Sequence, residues 1–130
     1  ALKPDALNRF KHFAQQQGVA PERILIASYQ QPVERFIAAM ACADLFLDTP
    51  EFNAGAIGAL AINAALPVLT CAGEAFSARM GASICKAATL DELVMQDLMR
   101  YQNRAIELGR DCDRLQQLKQ SLQVAKEQGK

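Results

Sequence analysis

The chain has 130 residues, enough for one domain with a modest single core. Its 14 basic and 14 acidic side chains cancel, which excludes a general nucleic-acid surface, because that needs excess Lys and Arg against phosphate. The balance of 51% apolar and 22% charged residues is globular. No apolar run reaches the ~20 residues of a membrane-spanning helix, and Ala1 to Arg9 lacks the basic-then-apolar order of a signal peptide.

In chain order, Pro4 to Gln17 reads as an amphipathic helix, with Leu7, Phe10, Ala14 and Gln17 on one side and Gly18 as its stop. Arg23 to Ser28 is a short apolar run that suits a strand buried on both faces of a parallel sheet. Pro32 opens a second helix carrying Phe36, Ile37, Met40 and Ala41. Asp44 to Asp48 reads as a second buried strand, Gly55 to Ala65 as a helix, and Leu66 to Thr70 as a third strand with Pro67 near its beginning.

A helix over Ala75 to Lys86 follows. Thr89-Leu-Asp-Glu92 has the pattern of a capping box at the start of the next helix. Helical pattern then runs to the end, broken near Gly109, with Leu98, Tyr101, Ala105, Leu108, Cys112, Leu115, Leu118 and Leu122 forming an apolar stripe. Strands alternating with helices predict an α/β, Rossmann-like three-layer domain over 1–130, with a small parallel sheet and a helical C-terminal part over 89–130. Cys42, Cys71, Cys85 and Cys112 show no CxxC spacing, so they read as buried free thiols in a reducing cytoplasm.

Several motifs, in order, resemble the C-terminal half of protein O-GlcNAc transferases, glycosyltransferase family 41 of GT-B type. Ala43-Asp-Leu-Phe-Leu-Asp-Thr-Pro50 is close to that family's "ADLFLDT", and Asn53-Ala-Gly55 matches its turn after that strand. Leu66-Pro-Val-Leu-Thr-Cys-Ala-Gly73 is similar to its "PVLT-x-x-G", and Phe76 to Ser83 to its "F-A-S-R-V-A-A-S". The early Gly18 to Leu25, Leu90 to Val94, and Tyr101 to Leu108 extend the likeness over roughly residues 5 to 120.

The resemblance implies a UDP or UDP-GlcNAc diphosphate seated at the start of the helix after the "LDT" strand. Unpaired N–H groups and the helix dipole favour an anion there, and small residues admit close backbone approach. Asn53, Ala54, Gly55, Ala56 and Ile57 are the candidate backbone contacts, with Arg35 and Arg79 as auxiliary cations. The family's two phosphate-binding Thr and its ribose-binding Asp fall at Ala56, Ile57 and Leu60, and its Lys and His at Val33 and Phe36. Those functional side chains are gone, which predicts weak binding, no catalytic residue, and a domain inactive alone.

The resemblance also implies a missing N-terminal GT-B half and hence a fragment of a larger protein, an expectation the lack of an initiating Met reinforces. No metal or other cofactor is implied. Plainer readings stand beside these. The Asn53–Gly58 loop also suits a simple strand-to-helix connection; Asp48 and Thr49 suit turn-fixing; Asn63 suits a solvated position and His12 a surface one. Arg79 suits a structural ion pair, for which Glu74 is near in sequence. The last part of the stripe suits either packing on the domain or an absent partner. Two functional alternatives follow: a non-catalytic interaction module on a degenerate scaffold, or an active half-enzyme using another sugar donor.

Overall fold

A computed structural model describes residues 3–25, 32–50, 53, 55–73 and 78–129. The chain divides into two compact units, Ala1–Gln31 and Pro32–Lys130. In the first, helix α1 spans Pro4–Gln16 with Pro at its first turn and Asp5 favouring the positive end of its dipole. Gly18 follows at φ +85°, where a Cβ is strained, and so ends the helix. A 3-10 turn covers Pro21–Arg23. Of the buried strand expected over 23–28, Arg23 lies in that turn, Ile24 and Leu25 belong to no strand and Leu25 is 86% exposed, and residues 26–28 lie outside the described residues.

The second unit is a βα layer structure. Helix α2 (Val33–Ala41) leads to β1 (Phe46–Leu47), α3 (Gly55–Asn63), β2 (Val68–Cys71) and α4 (Met80–Ala87). A 3-10 turn at Asp91–Leu93 delivers β3 (Val94–Met95), followed by α5 (Leu98–Gly109) and α6 (Cys112–Glu127). The three strands are parallel in the order β1-β2-β3, with Phe46 opposite Val68 and Thr70 opposite Val94. All four β2 residues are buried, as a central strand covered on both faces requires. The fold is α/β, as the alternation of strands and helices predicts.

The core gathers Leu69, Leu93, Leu108 and Cys85, all 0% exposed, with Val68, Leu66 and Ala61. Leu115, Leu118 and Leu122 of α6 pack into the same cluster, each burial contributing about 1.5–3 kcal/mol. The stripe after Gly109 therefore packs on its own domain. Lys119 fastens the same helix to the end of α2, its Nζ donating to the Ala41 carbonyl at 3.2 Å and the Ala43 carbonyl at 2.7 Å. Those carbonyls have no intrahelical partner, and a cation suits that pole of the dipole.

Two expectations are corrected here. Thr89 makes no capping box: it adopts φ +57° and turns its hydroxyl to the Ala88 carbonyl, and the chain behind it enters a 3-10 turn and then β3. Glu92 instead pairs with Arg104 of α5 and Arg114 of α6, binding the two last helices to the turn. The caps of those helices are Asp97 and Asp111, whose carboxylates accept from the Arg100 and Arg114 amides. The thiols also divide: Cys71 and Cys85 are buried, whereas Cys42 and Cys112 are exposed. Cys42 falls at the C-cap of α2 and Cys112 in the first turn of α6, both on outward faces.

Candidate functional site

Parallel strands place every following helix start at one edge of the sheet. The N-termini of α3, α4 and α5 therefore succeed the carboxyl ends of β1, β2 and β3, where ligands of open α/β sheets bind. Of the first-turn N–H groups there, that of Gly81 in α4 is taken by Asn53 and that of Arg100 in α5 by Asp97. This edge is the candidate site, and its floor is a buried polar junction.

Asp48, 3% exposed at the end of β1, is the centre of that junction. Its Oδ1 accepts from the Thr49 amide at 2.9 Å and its Oδ2 from the Thr70 hydroxyl of β2 at 2.8 Å. The Tyr101 hydroxyl of α5 donates to the Asp48 carbonyl at 2.7 Å. Burial first, then Asp48 and Cys71, pushes the Tyr101 phenol up and keeps it a donor. Gly81 lets α4 approach closely: a Cβ there would fall inside the contact radii of Asp48 Oδ2 and Thr70 Oγ1. Asp48 and Thr49 thus fix the turn.

Asn53 is 1% exposed and faces inward. Its Nδ2 donates to the Thr49 carbonyl at 2.8 Å, and its Oδ1 accepts from the Gly81 amide at 2.8 Å. Ala54 lies outside the described residues. Gly55 is half-buried, and a Cβ on it would come within 2.6 Å of Met80 Cε. Ala56 and Ile57 are exposed, Ile57 at 47%, and Leu60 is half-buried. The first turn of α3 is thus open to solvent with apolar side chains around its amides.

Beside it lies an open pocket of about 380 Å³ lined by Arg79, Met80, Ser83 and Ile84. Arg79 sits at the N-cap of α4, exposed, with no ion pair among the described residues; Glu74 lies outside them. Arg35 is exposed in the first turn of α2, a helix packed against α3. Val33 is 40% exposed and Phe36 half-buried on the same helix. His12 is exposed beside Gln16, and Asn63 is exposed at the end of α3. Among the described residues no three His, Cys, Asp or Glu side chains group as a metal site, and no helix is long and apolar enough to cross a membrane.

Nothing in the sequence alone marks the inward residues Thr70, Gly81 and Tyr101 as parts of the site floor. A glycine inside a helical pattern, as at Gly81, is the one feature of the sequence that could have pointed to the close approach of α4.

Comparison with known proteins agrees with this fold. The chain is 29% identical over 119 residues to the probable UDP-N-acetylglucosamine–peptide N-acetylglucosaminyltransferase SEC of Arabidopsis thaliana, covering 91% of this chain and 12% of that protein. It is 26% identical over 116 residues to the UDP-N-acetylglucosamine–peptide N-acetylglucosaminyltransferase of Caenorhabditis elegans, covering 89% and 10%. The structure of a mutant O-GlcNAc transferase from Thermobaculum terrenum superposes with a TM-score of 0.83 at 28% identity, over 94% of this chain and 23% of that one. The chain thus spans a small part of the relatives it matches. The family model for glycosyl transferase family 41 matches residues 5–130, and the chain belongs to that family as an O-GlcNAc transferase-like domain.

Proposed function

We propose that this chain is a nucleotide-facing domain that takes UDP or a UDP-sugar such as UDP-GlcNAc weakly, through backbone amides at the start of α3, and does not transfer sugar alone. The observation that carries the reading is the open first turn of α3 at the carboxyl edge of the parallel sheet, with Ala56 and Ile57 exposed. An anion there gains N–H donors and the dipole. Asn53 is committed inward, so the contact reduces to the amides of residues 55–57, with Arg79 of the adjoining pocket as the cation.

The same side chains explain weakness. Ala56, Ile57 and Leu60 offer no hydroxyl and no carboxylate. Charge developing on a departing nucleotide needs preorganised donors, each worth about 2.7–4 kcal/mol. The domain supplies backbone donors alone at α3, and the acceptor groove and remaining groups of a GT-B enzyme belong to another half or partner.

Ligand-detected NMR with UDP and UDP-GlcNAc tests this, comparing the chain with an Ala56→Thr/Ile57→Thr variant. Two hydroxyls directed at a charged diphosphate are expected to tighten binding at least about tenfold. Absence of any signal at millimolar ligand in both proteins overturns the reading. It would favour an interaction module, which the exposure of Ile57 at 47%, Leu98 at 62% and Met99 at 74% supports.

A further inference from the structure

Asn53 has both ends of its amide spent on backbone partners. One bond, to the Thr49 carbonyl, spans four residues and closes the loop between β1 and α3. The other, from the Gly81 amide, spans 28 residues and joins that loop to the first turn of α4. An amide can turn its NH2 to a carbonyl and its oxygen to an N–H in one orientation only, so this pair of partners fixes the side chain. Its burial leaves no replacement by water at no cost.

We propose that Asn53 is a positioning residue that locks the β1–α3 loop to α4, holding the amides of 55–57 and the Arg79 end of the pocket as one surface, while its own side chain touches no ligand. The consequence for nucleotide rests on the function proposed above; the lock itself does not. Asn53→Ala deletes both bonds. Asn53→Asp keeps the shape and makes the lock titratable. Ionised, the buried carboxylate sets lone pairs against the Thr49 carbonyl beside Asp48, is driven out toward water and leaves the Gly81 N–H; protonated, it donates to that carbonyl and accepts from Gly81 N–H. The charged groups around it are Asp48, whose Oδ2 lies against Gly81, and Arg79 at the start of α4. Burial and Asp48 together raise the pKa of the introduced acid.

The experiment is amide exchange by NMR on the whole chain, corrected for intrinsic rates, for wild type, Asn53→Ala and Asn53→Asp at pH 5 and 8, with UDP titrations alongside. Asn53→Ala is expected to lower protection of Gly81 about 10- to 100-fold relative to Leu69 in the core. Asn53→Asp is expected to keep Gly81 protected at pH 5 and release it at pH 8, while wild type does not change between them. Should Asn53→Ala lose Leu69 protection as well, the pH contrast in Asn53→Asp decides. Equal Gly81 protection in Asn53→Asp at both pH values overturns the lock, as does an undiminished Gly81 in Asn53→Ala. A direct nuclear Overhauser contact from UDP to Asn53 Nδ2 also overturns it. Absence of UDP binding in wild type sinks the nucleotide reading and leaves the exchange data to decide the lock.

Discussion

Gly81→Ala is the sharpest test of how α4 meets the sheet. An added Cβ would stand 3.0 Å from Thr70 Cβ, 0.4 Å short of the 3.4 Å at which ordinary contact begins, and closer still to Asp48 Oδ2 and Thr70 Oγ1. Thr70 Cβ is fixed by the central strand, so α4 must lift or the carboxylate must leave. Overpacking of this kind costs about 1–3 kcal/mol. Displacing the Thr70–Asp48 bond, made to an ionised oxygen, costs about 1.5–3 kcal/mol more. The better helix propensity of Ala returns about 1 kcal/mol, leaving a net loss of about 1.5–5 kcal/mol. Urea unfolding at 25 °C reads this against Gly109→Ala, where nothing lies within 4 Å of the new methyl and stability should hold or rise by up to about 1 kcal/mol. A Gly81→Ala loss below about 1 kcal/mol refutes the close-approach argument.

Two further outcomes follow from the same structure. Thiol titration under native conditions should show two fast groups, Cys42 and Cys112, and two that react only on unfolding. Cys85 is pushed up to about 12 by burial and by Asp48 and Asp91, and Cys71 is raised by burial and Asp97; four fast thiols would refute the burial assignment. Glu92→Gln should cost under about 1 kcal/mol, because the ion pairs with Arg104 and Arg114 are partly solvated. The Arg114 hydrogen bond holds the Glu92 carboxyl below its usual range. A depressed folded pKa gives stability that is present above the unfolded value and lost as pH falls through the folded one. The difference between the two proteins should therefore shrink in acid, and a constant difference counts against the pairing.

The strands after Ala43 and Pro67 were legible from their apolar runs, although each is shorter than its run; only β2 is buried throughout, since Leu47 of β1 is 55% exposed. The last two helices were legible from the leucine stripe, whose members Leu108, Leu115, Leu118 and Leu122 all reach the core. β3 was not, for two reasons. It has only two residues, and the Thr89–Glu92 spacing imitates a helix start whose hydroxyl the left-handed backbone at Thr89 turns elsewhere. At the site, the small residues after β1 signalled the start of α3, whose first turn carries the exposed Ala56 and Ile57. The inward use of Asn53 was not legible, since its partner Gly81 lies 28 residues away and local spacing carries no record of such a bond.

That distinction divides the motifs by the work they do. Asp48, Asn53, Thr70 and Gly81 belong to motifs that resemble the family, and all four are buried and tied to one another. Ala56 and Ile57, where the resemblance breaks, are exposed. A buried polar junction must keep every partner or strand a donor or acceptor at a cost of about 1–3 kcal/mol, so folding alone holds these residues. Exposed first-turn positions of α3 carry no such requirement; only a ligand would demand hydroxyls there. The "LDT" and Asn-x-Gly segments therefore report how β1, α3 and α4 are joined, and under the proposed function positions 56, 57 and 60 set what the joined surface grips.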